Sequence, residues 1–457
     1  MEVTIRQNLT FPGGVHPTEG AKLACNRQIE TGPAARQVSV MLSQHIGSAA
    51  KPIVAKNDHV QAGQMIAQAT GFVSATMHSP INGKVKEISL QPHAVLGRSM
   101  AVVIEADAED NPPKIMRADF DGNFDENAFS AEQICNAVAE AGIVGMGGAG
   151  FPTRVKIEPN PRLPKKTLII NGCECEPCIT CDYRLMLERT NTIIAGAKLA
   201  RRASGCSRII IAIEDNKPHA TDAFRRALEN SANSDGIEIT SLKTKYPQGG
   251  ERQLIKSVLN KYVPTGGIPP AIGILVLNVA TAAAIAEAVA FNQPLTHRIV
   301  TVTGRAIAKP GNIYVAIGTP VSELIEFCGG VTQKSVKVIL GGPMMGLAIA
   351  DLSTPITKTT GSITILTKEQ IGRAKYKRQV TPCIRCGRCL EVCPEHLNPT
   401  KIAHAVKNNM LDLAQDYYMS ACIECGCCSF VCPANIELTG YIKTGKIYLA
   451  RQKKKMP

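Results

Sequence analysis

Two stretches of this sequence have the residue types and spacing to hold metal. "CIRCGRCLEVCP" supplies Cys383, Cys386, Cys389, Cys393 and Pro394, and "CIECGCCSFVCP" supplies Cys422, Cys425, Cys428, Cys432 and Pro433. Both follow C-x2-C-x2-C-x3-C-P, the run that holds [4Fe–4S] clusters. Three thiolates two residues apart curl around one face of a cube, and the fourth reaches across to serve the other cluster of a pair. The expected ligand sets are Cys383, Cys386, Cys389 and Cys432 for one cluster, and Cys422, Cys425, Cys428 and Cys393 for the second. Cys427 is surplus. Zinc is the competing metal, but its tetrahedral sites use two C-x2-C pairs and need no fourth cysteine before proline, twice over. Two clusters a short hop apart make a one-electron wire, and a wire needs terminals.

Two further stretches could build such a terminal. "NGCECEPCITCDYR" (Asn171–Arg184) places Cys173, Cys175, Cys178 and Cys181 within nine residues, with Glu174 and Glu176 between them. The spacing of Cys175, Cys178 and Cys181 leaves a third cluster open, although no Pro-flanked fourth cysteine follows. "GIVGMGGAGFPTRVK" (Gly142–Lys156) carries Gly145, Gly147, Gly148 and Gly150. Such a run lets backbone N–H groups approach an anion, and Lys156 could pair with a phosphate. Taken alone it is more often only a turn.

The elements that must position these residues read as a multidomain α/β chain. Residues 1–106 alternate short apolar runs with Gly, Asn and Pro turns, and "SPINGKV" resembles half of a biotinyl/lipoyl-type β hammerhead (barrel-sandwich). The hairpin tip near "TGFVSATMH" has no lysine to modify, so the domain is expected to be structural. Residues 107–130 are acidic and read as a linker. Residues 131–296 alternate amphipathic helices ("AEQICNAVAEAG", "HATDAFRRALEN", "ERQLIKSVLNKY") with β-branched strands ("TLIING", "RIIIAIED"), the pattern of a layered α/β domain. Residues 297–350 suit a compact β-grasp unit, 351–372 a connector, and 373–457 a helical cysteine block with a basic tail. In that block "PTKIAHAVKNNMLDLAQDYYMSA" reads as one helix, with Ile402, Val406, Met410, Leu413 and Tyr417 on one face.

Composition narrows the function classes. At 457 residues the chain is too long for one core. Seventeen cysteines, an odd number in tight groups, point to metal ligation in a reducing compartment over a disulfide framework. The start lacks a signal-peptide pattern. Aromatics are 4% and Trp is absent, which removes the stacking platform for single-stranded nucleic acid, so no nucleic acid partner is expected. The net charge of +13 is concentrated late, in Arg373–Arg378 and Lys443–Lys455. These are solvated faces, or a contact for anionic lipid or an acidic electron carrier. Ile268–Phe291 is long enough to span a bilayer. Its β-branched first half and Ala-rich second half, with Glu287, read instead as strand then helix, leaving any membrane attachment peripheral.

The Gly-rich run resembles "GxGGAGFPxxxK" of the flavin- and NADH-binding subunit of respiratory complex I. Three more stretches match that family in order: "NGCECEPCITCDYR", "YPQGGE" (Tyr246–Glu251) and "LNVAT" (Leu277–Thr281). With the hammerhead, the β-grasp (SLBB-like) unit and the ferredoxin-like block, the whole chain resembles the RnfC family of Rnf electron-transport complexes. The resemblance implies a NuoF-like domain with FMN, NAD(H) as substrate and two [4Fe–4S] clusters. It implies that Gly145, Gly147, Gly148 and Lys156 cradle the flavin phosphate and that Asn171, Glu174 and Glu176 line the flavin and nicotinamide. Tyr246, Gly249 and Glu251 would close the pocket, and Asn278 and Thr281 would hold the flavin from below. Three positions depart from the family: Cys173 replaces an Asp, Cys175 a Gly, and Gly250 a Glu.

The activity implied is that of a ferredoxin:NAD oxidoreductase component within an ion-translocating complex, a translocase. It would lie peripherally on the cytoplasmic side of the cell membrane. Its partners would be the other Rnf proteins, both the membrane-embedded ones and the ferredoxin-like RnfB, with ferredoxin served indirectly. Alternatives are a flavoprotein cobalamin reductase of a diol-utilisation compartment and a non-catalytic iron–sulfur relay scaffold.

Overall fold

The computed structural model describes residues 5–17, 23–107, 112–122, 124–231, 236–332, 335–371 and 380–455. Its centre is a five-stranded, all-parallel sheet in the order Ile5–Leu9, Ile237–Leu242, Arg208–Glu214, Thr167–Gly172, Ile274–Asn278. Alternation along Thr167–Gly172 sends Leu168 and Ile170 to one face and Ile169 to the other. Both faces are covered, as a parallel sheet requires. Helices Ala131–Glu140, Thr190–Ser204, Pro218–Glu229 and Val279–Phe291 bury the first, and Glu251–Leu259 buries the second. The apolar segment from Ile268 is thus a strand followed by a helix, and Glu287 pairs with buried Arg189 at 3.0 Å. Among the described residues no helix is long and apolar enough to cross a membrane.

Helices Thr190–Ser204 and Val279–Phe291 approach closely at Gly196. A β-carbon there would stand 1.7 Å from the carbonyl oxygen of Ala282. Gly196→Ala therefore forces the two helices apart, and overpacking of this kind costs about 1–3 kcal/mol. That exceeds the gain of up to about 1 kcal/mol in helix propensity. The variant should lower the urea midpoint of the central-sheet domain, and an unchanged midpoint would refute the close packing.

Two smaller β units flank this core. One is a barrel-sandwich of a four-stranded sheet (Gln37–Met41, Gly97–Ala106, Gly83–His93, His59–Val60) and a three-stranded one (Lys51–Pro52, Met65–Gln68, Met77–His78). The other is a six-stranded mixed sheet around His297–Thr303, Gly311–Ala316 and Ser335–Leu340, with helix Val321–Phe327 packed into its core. The multidomain α/β architecture, from hammerhead to ferredoxin-like block, is as expected, but several boundaries differ. The first strand leaves the hammerhead for the edge of the central sheet, because Ile5 and Leu9 fit its two cores. Strand Ile29–Thr31 joins the six-stranded sheet beside Gly311–Ala316.

The supposed connector contributes strand Ser362–Thr367, whose alternating "SITILT" sits between Ser335–Leu340 and His297–Thr303. The acidic linker is partly packed: Asp119 accepts the N–H groups of Asn191 and Thr192 at 3.0 and 2.8 Å, at the start of a helix. In the C-terminal block the expected single helix is two, Pro399–Lys407 and Leu411–Asp416. Asn409, at φ +58°, ends the first, so Met410 and Leu413 are exposed while Leu411 and Ala414 are buried. Of the basic segments, Arg373–Arg378 lies outside the described residues. In the tail, Lys446 pairs with Glu424 at 3.0 Å and Lys443 lies 4.0 Å from it.

Candidate functional site

The two cysteine runs fold as near copies. Arg385 and Glu424 both take positive φ (+56° and +59°), and Gly387 and Gly426 follow at +77° and +82°. These turns aim the N–H of Arg385 at Cys383 Sγ (3.4 Å) and the N–H of Glu424 at Cys422 Sγ (3.3 Å). Each third cysteine opens on a threonine hydroxyl of the next helix: Cys389 Sγ lies 3.0 Å from Thr400 and Cys428 Sγ 3.4 Å from Thr439. One cavity is lined by Cys422, Cys425, Cys428 and, from the other run, Cys393. A second is lined by Cys383, Cys386, Cys389 and Cys432. Cys427 also lines the first cavity; the four sulfurs at the motif spacing around each, with backbone donors aimed at them, fit a [4Fe–4S] cube.

The two cavities differ in setting. Cys383 and Cys386 are exposed, whereas Cys393, Cys425 and Cys428 are buried. Burial pushes the Cys393, Cys422 and Cys428 thiols up to about 11, so loading the inner site must release protons. Cys427 is fully buried, with its sulfur 3.9 Å from the Tyr246 carbonyl oxygen.

The Gly-rich run lies beside the carboxyl ends of the central strands, the usual ligand position in an open α/β sheet. Asn171 and Asn278 face each other in register at the ends of neighbouring strands. Asn278 caps its helix through Ala280 N–H (2.8 Å) and donates to Asp182 at 2.6 Å. Thr281 Oγ1 accepts the N–H of Met146 at 2.9 Å, and a β-carbon on Gly147 would meet the Asn278 side chain at 3.2 Å. Gly147, Gly148 and Ala149 are exposed, and Gly148, at φ +117°, faces open space. An exposed glycine turn whose N–H groups enter no helix or strand suits an anionic phosphate. Lys156, in the short helix that follows the turn, pairs with Glu251 at 2.9 Å and donates to Val276 O at 3.3 Å. Asn171 donates to Gly249 O at 2.9 Å, which draws the "YPQGGE" loop against the same strand end.

Three predicted pocket residues are engaged elsewhere. Glu174 is buried and accepts the N–H groups of Asp182 (2.8 Å) and Tyr183 (3.3 Å), capping helix Cys181–Glu188. Glu176 accepts the N–H groups of Met344 and Met345, in a loop of the six-stranded unit, at 3.1 and 2.8 Å. Burial pushes its carboxyl up to about 7. Tyr246 is buried and donates its hydroxyl to the Cys425 carbonyl at 2.7 Å. Its ring lies in a cluster with Val15, Cys425 and Cys427, so it faces the inner cysteine cavity.

The four cysteines of Asn171–Arg184 do not converge. Cys173 points to Ala212 O, Cys175 accepts the N–H of Gly249 (3.3 Å), and Cys181 lies 3.6 Å from Glu174. Within this stretch the described residues that gather as a possible metal set are Glu174, Cys181 and Asp182, which is not the C-x-x-C-x-x-C triple.

Two residues were missed. Burial and the neighbouring Glu174 carboxylate raise Asp182 to about 7; its signal was an acid in the first turn of a helix leaving a motif. Glu395, which lines the inner cavity, receives Arg252 at 3.0 Å and Gln253 at 2.7 Å, tying helix Glu251–Leu259 to that cavity. No sequence pattern marks that pair.

Comparisons with known proteins agree with this division. Residues 138–287 match the Nuo51 FMN-binding domain, 9–109 the RnfC barrel sandwich hybrid domain, 299–348 the SLBB domain and 379–436 the 4Fe-4S dicluster domain. The C subunit of the proton-translocating ferredoxin:NAD(+) oxidoreductase complex of Clostridium ljungdahlii is 40% identical, over 90% of this chain and 87% of its own. The C subunit of the Na(+)-translocating ferredoxin:NAD(+) oxidoreductase complex of Acetobacterium woodii is 40% identical, over 88% of each chain. The C subunit of the ion-translocating oxidoreductase complex of Rhodobacter capsulatus is 41% identical, over 87% of this chain and 75% of its own.

Proposed function

The chain belongs to the RnfC family of ion-translocating oxidoreductase complexes, and on that footing we propose that it carries electrons between NAD(H) and the rest of such a complex. The observation that supports this reading most is the direct joint between its two halves. The domain that matches an FMN-binding fold is fastened to the lining of the inner cysteine cavity by Tyr246, Arg252 and Gln253. The cobalamin-reductase alternative is not favoured, since relatives at this identity are named as components of ferredoxin:NAD(+) oxidoreductase complexes.

When bound, FMN exchanges a hydride with NAD(H) and single electrons with iron–sulfur clusters, which is the conversion this pairing of cofactors needs. The protein's part is to hold and order them. Gly147 and Gly148 would offer backbone N–H groups to the flavin phosphate, Gly145 closes the turn through Phe151 O at 2.8 Å, and Lys156 would supply the cation. Asn171 and Asn278 at the strand ends and Thr281 in the first turn of the following helix would hold the flavin, with Gly249 and Glu251 at the rim. Glu174, Glu176 and Tyr246 shape the walls from behind through the contacts described above. Cys393, Cys422, Cys425 and Cys428 take the cluster nearer the flavin domain. Cys383, Cys386, Cys389 and Cys432 take the outer one, whose exposed ligands suit exchange with a partner. That partner would be a membrane-embedded Rnf protein or the ferredoxin-like RnfB, with the chain bound peripherally on the cytoplasmic side. Ion translocation would belong to the assembled complex.

The test is NADH titration of protein reconstituted with iron, sulfide and FMN. NADH should bleach the flavin and then the clusters. Lys156→Met removes a charge-assisted contact worth about 1.5–3 kcal/mol, so FMN should bind about ten- to a hundredfold more weakly with the iron content unchanged. A wild-type protein that keeps its iron but never binds flavin would leave only the relay scaffold.

A further inference from the structure

One turn of the six-stranded unit touches both halves of the proposed wire. "GGPMMG" (Gly341–Gly346) joins strands Ser335–Leu340 and Leu347–Ile349. It is drawn tight by Gly346 N–H to Gly342 O at 2.8 Å, with Gly341 at φ +103°. On one side its consecutive N–H groups, from Met344 and Met345, each take one oxygen of Glu176. This is the two-donor geometry that captures a carboxylate. The fit leaves no spare room, since a β-carbon on Gly342 would stand 2.2 Å from Glu176 Oε2. On the other side the turn abuts the inner cysteine run. A β-carbon on Gly426 would stand 2.9 Å from Met344 O, and Met344 packs with Cys175, Tyr246, Cys425 and Cys427. Glu176 itself extends from the loop that follows strand Thr167–Gly172, beside the strand end holding Asn171.

We propose that the Gly341–Gly346 turn is the coupling wedge between the flavin-binding half and the inner cluster, and that Glu176 is the residue that positions it. This rests on the electron-transfer reading above and deepens it. Oxidation of NADH yields NAD⁺, a proton and two electrons, and the two electrons leave singly, one to each cluster. The wedge takes no electron. It fixes how close and how still the inner cluster sits against the flavin domain, and electron transfer between separated cofactors slows as the gap between them widens.

Gly342→Ala drives a methyl into the Glu176 carboxylate from outside the flavin site. The variant should keep wild-type iron content, and flavin bleaching by NADH, measured on its FMN-loaded fraction, should slow less than cluster reduction does. Cluster reduction, followed separately by stopped-flow absorbance, should slow severalfold. Glu176→Gln keeps one acceptor and loses the other. In the cofactor-free chain it should speed amide hydrogen exchange of Met344 and Met345 by about tenfold, as expected for the loss of one hydrogen bond to a charged acceptor. Cluster reduction at the wild-type rate in Gly342→Ala, or unchanged exchange in Glu176→Gln, overturns the wedge. If NADH bleaches no flavin even in the wild type, it is the electron-transfer reading that falls.

Discussion

Cys432→Ala should strip the cluster of the first cysteine run, and Cys393→Ala that of the second. Each variant should fall from about eight iron atoms per chain to about four. The expectation follows from the crossed cavities: Cys432 shares its cavity with Cys383, Cys386 and Cys389, and Cys393 shares its cavity with Cys422, Cys425 and Cys428. The two losses should also differ in consequence, because the cavities are not equivalent. The inner one adjoins Tyr246, whose hydroxyl binds Cys425 O, and Gly14, whose N–H binds Val392 O at 2.8 Å. The outer one has exposed ligands. With Cys432 replaced, NADH should still reduce the remaining cluster. With Cys393 replaced, the surviving outer cluster loses the carrier between it and the flavin domain, and its reduction by NADH should be largely lost. Iron analysis and low-temperature EPR of the two variants read both effects. Loss of the Cys422–Cys425–Cys428 cluster from Cys432→Ala would reverse the assignment.

Features that depend on chain-local spacing were legible in the sequence. The C-x2-C-x2-C-x3-C-P runs specify their own turns, and the strand–helix alternation of residues 131–296 follows from side-chain periodicity. The Gly-rich turn was visible as a run of glycines, but Asn171 and Asn278 were singled out only by the family resemblance, since an asparagine at a strand end has no local mark of a ligand contact.

What could not be read is which distant backbone a side chain would satisfy. Glu174 and Glu176 occupy alternate positions in one short motif, and nothing local separates them. One turned to the helix start at Asp182, and the other to the N–H groups of Met344 and Met345 in a different β unit. Tyr246 went to the cysteine block for the same reason: a buried hydroxyl needs an acceptor, and Cys425 O was the one the tertiary fold brought near. The domain edges shifted where a strand of one unit completed the sheet of another, as Ile29–Thr31 and Ser362–Thr367 do.

Lys358 should give the protein an alkaline stability maximum. Its side chain is 1% exposed and ties three units together. Nζ donates to Thr76 O of the barrel-sandwich and to Gly142 O at the head of the Gly-rich run, both at 2.7 Å. Its own backbone N–H donates to Gln44 Oε1 at 2.8 Å. Burial alone lowers its pKa from 10.5 to about 7. The groups it acts on most, His78 and His45, are themselves pushed down by burial and offer no negative charge.

A neutral amine keeps two N–H groups, enough for both carbonyls, so the uncharged form fits the site while the ammonium is penalised. The sign follows from linkage: between pH 7 and 10.5 the unfolded chain holds a proton that the folded chain has released, so stability rises with pH across that window. The full span corresponds to about 5 kcal/mol. Lys358→Met should remove the slope. At about pH 9 the variant should be less stable than wild type, since two buried carbonyls lose their donor at about 1–3 kcal/mol each. At about pH 6 the deficit should shrink or reverse, because only the wild type must bury a charge. Denaturation midpoints of both proteins from about pH 6 to about 9.5 measure it, and parallel curves would mean that Lys358 stays charged in the fold.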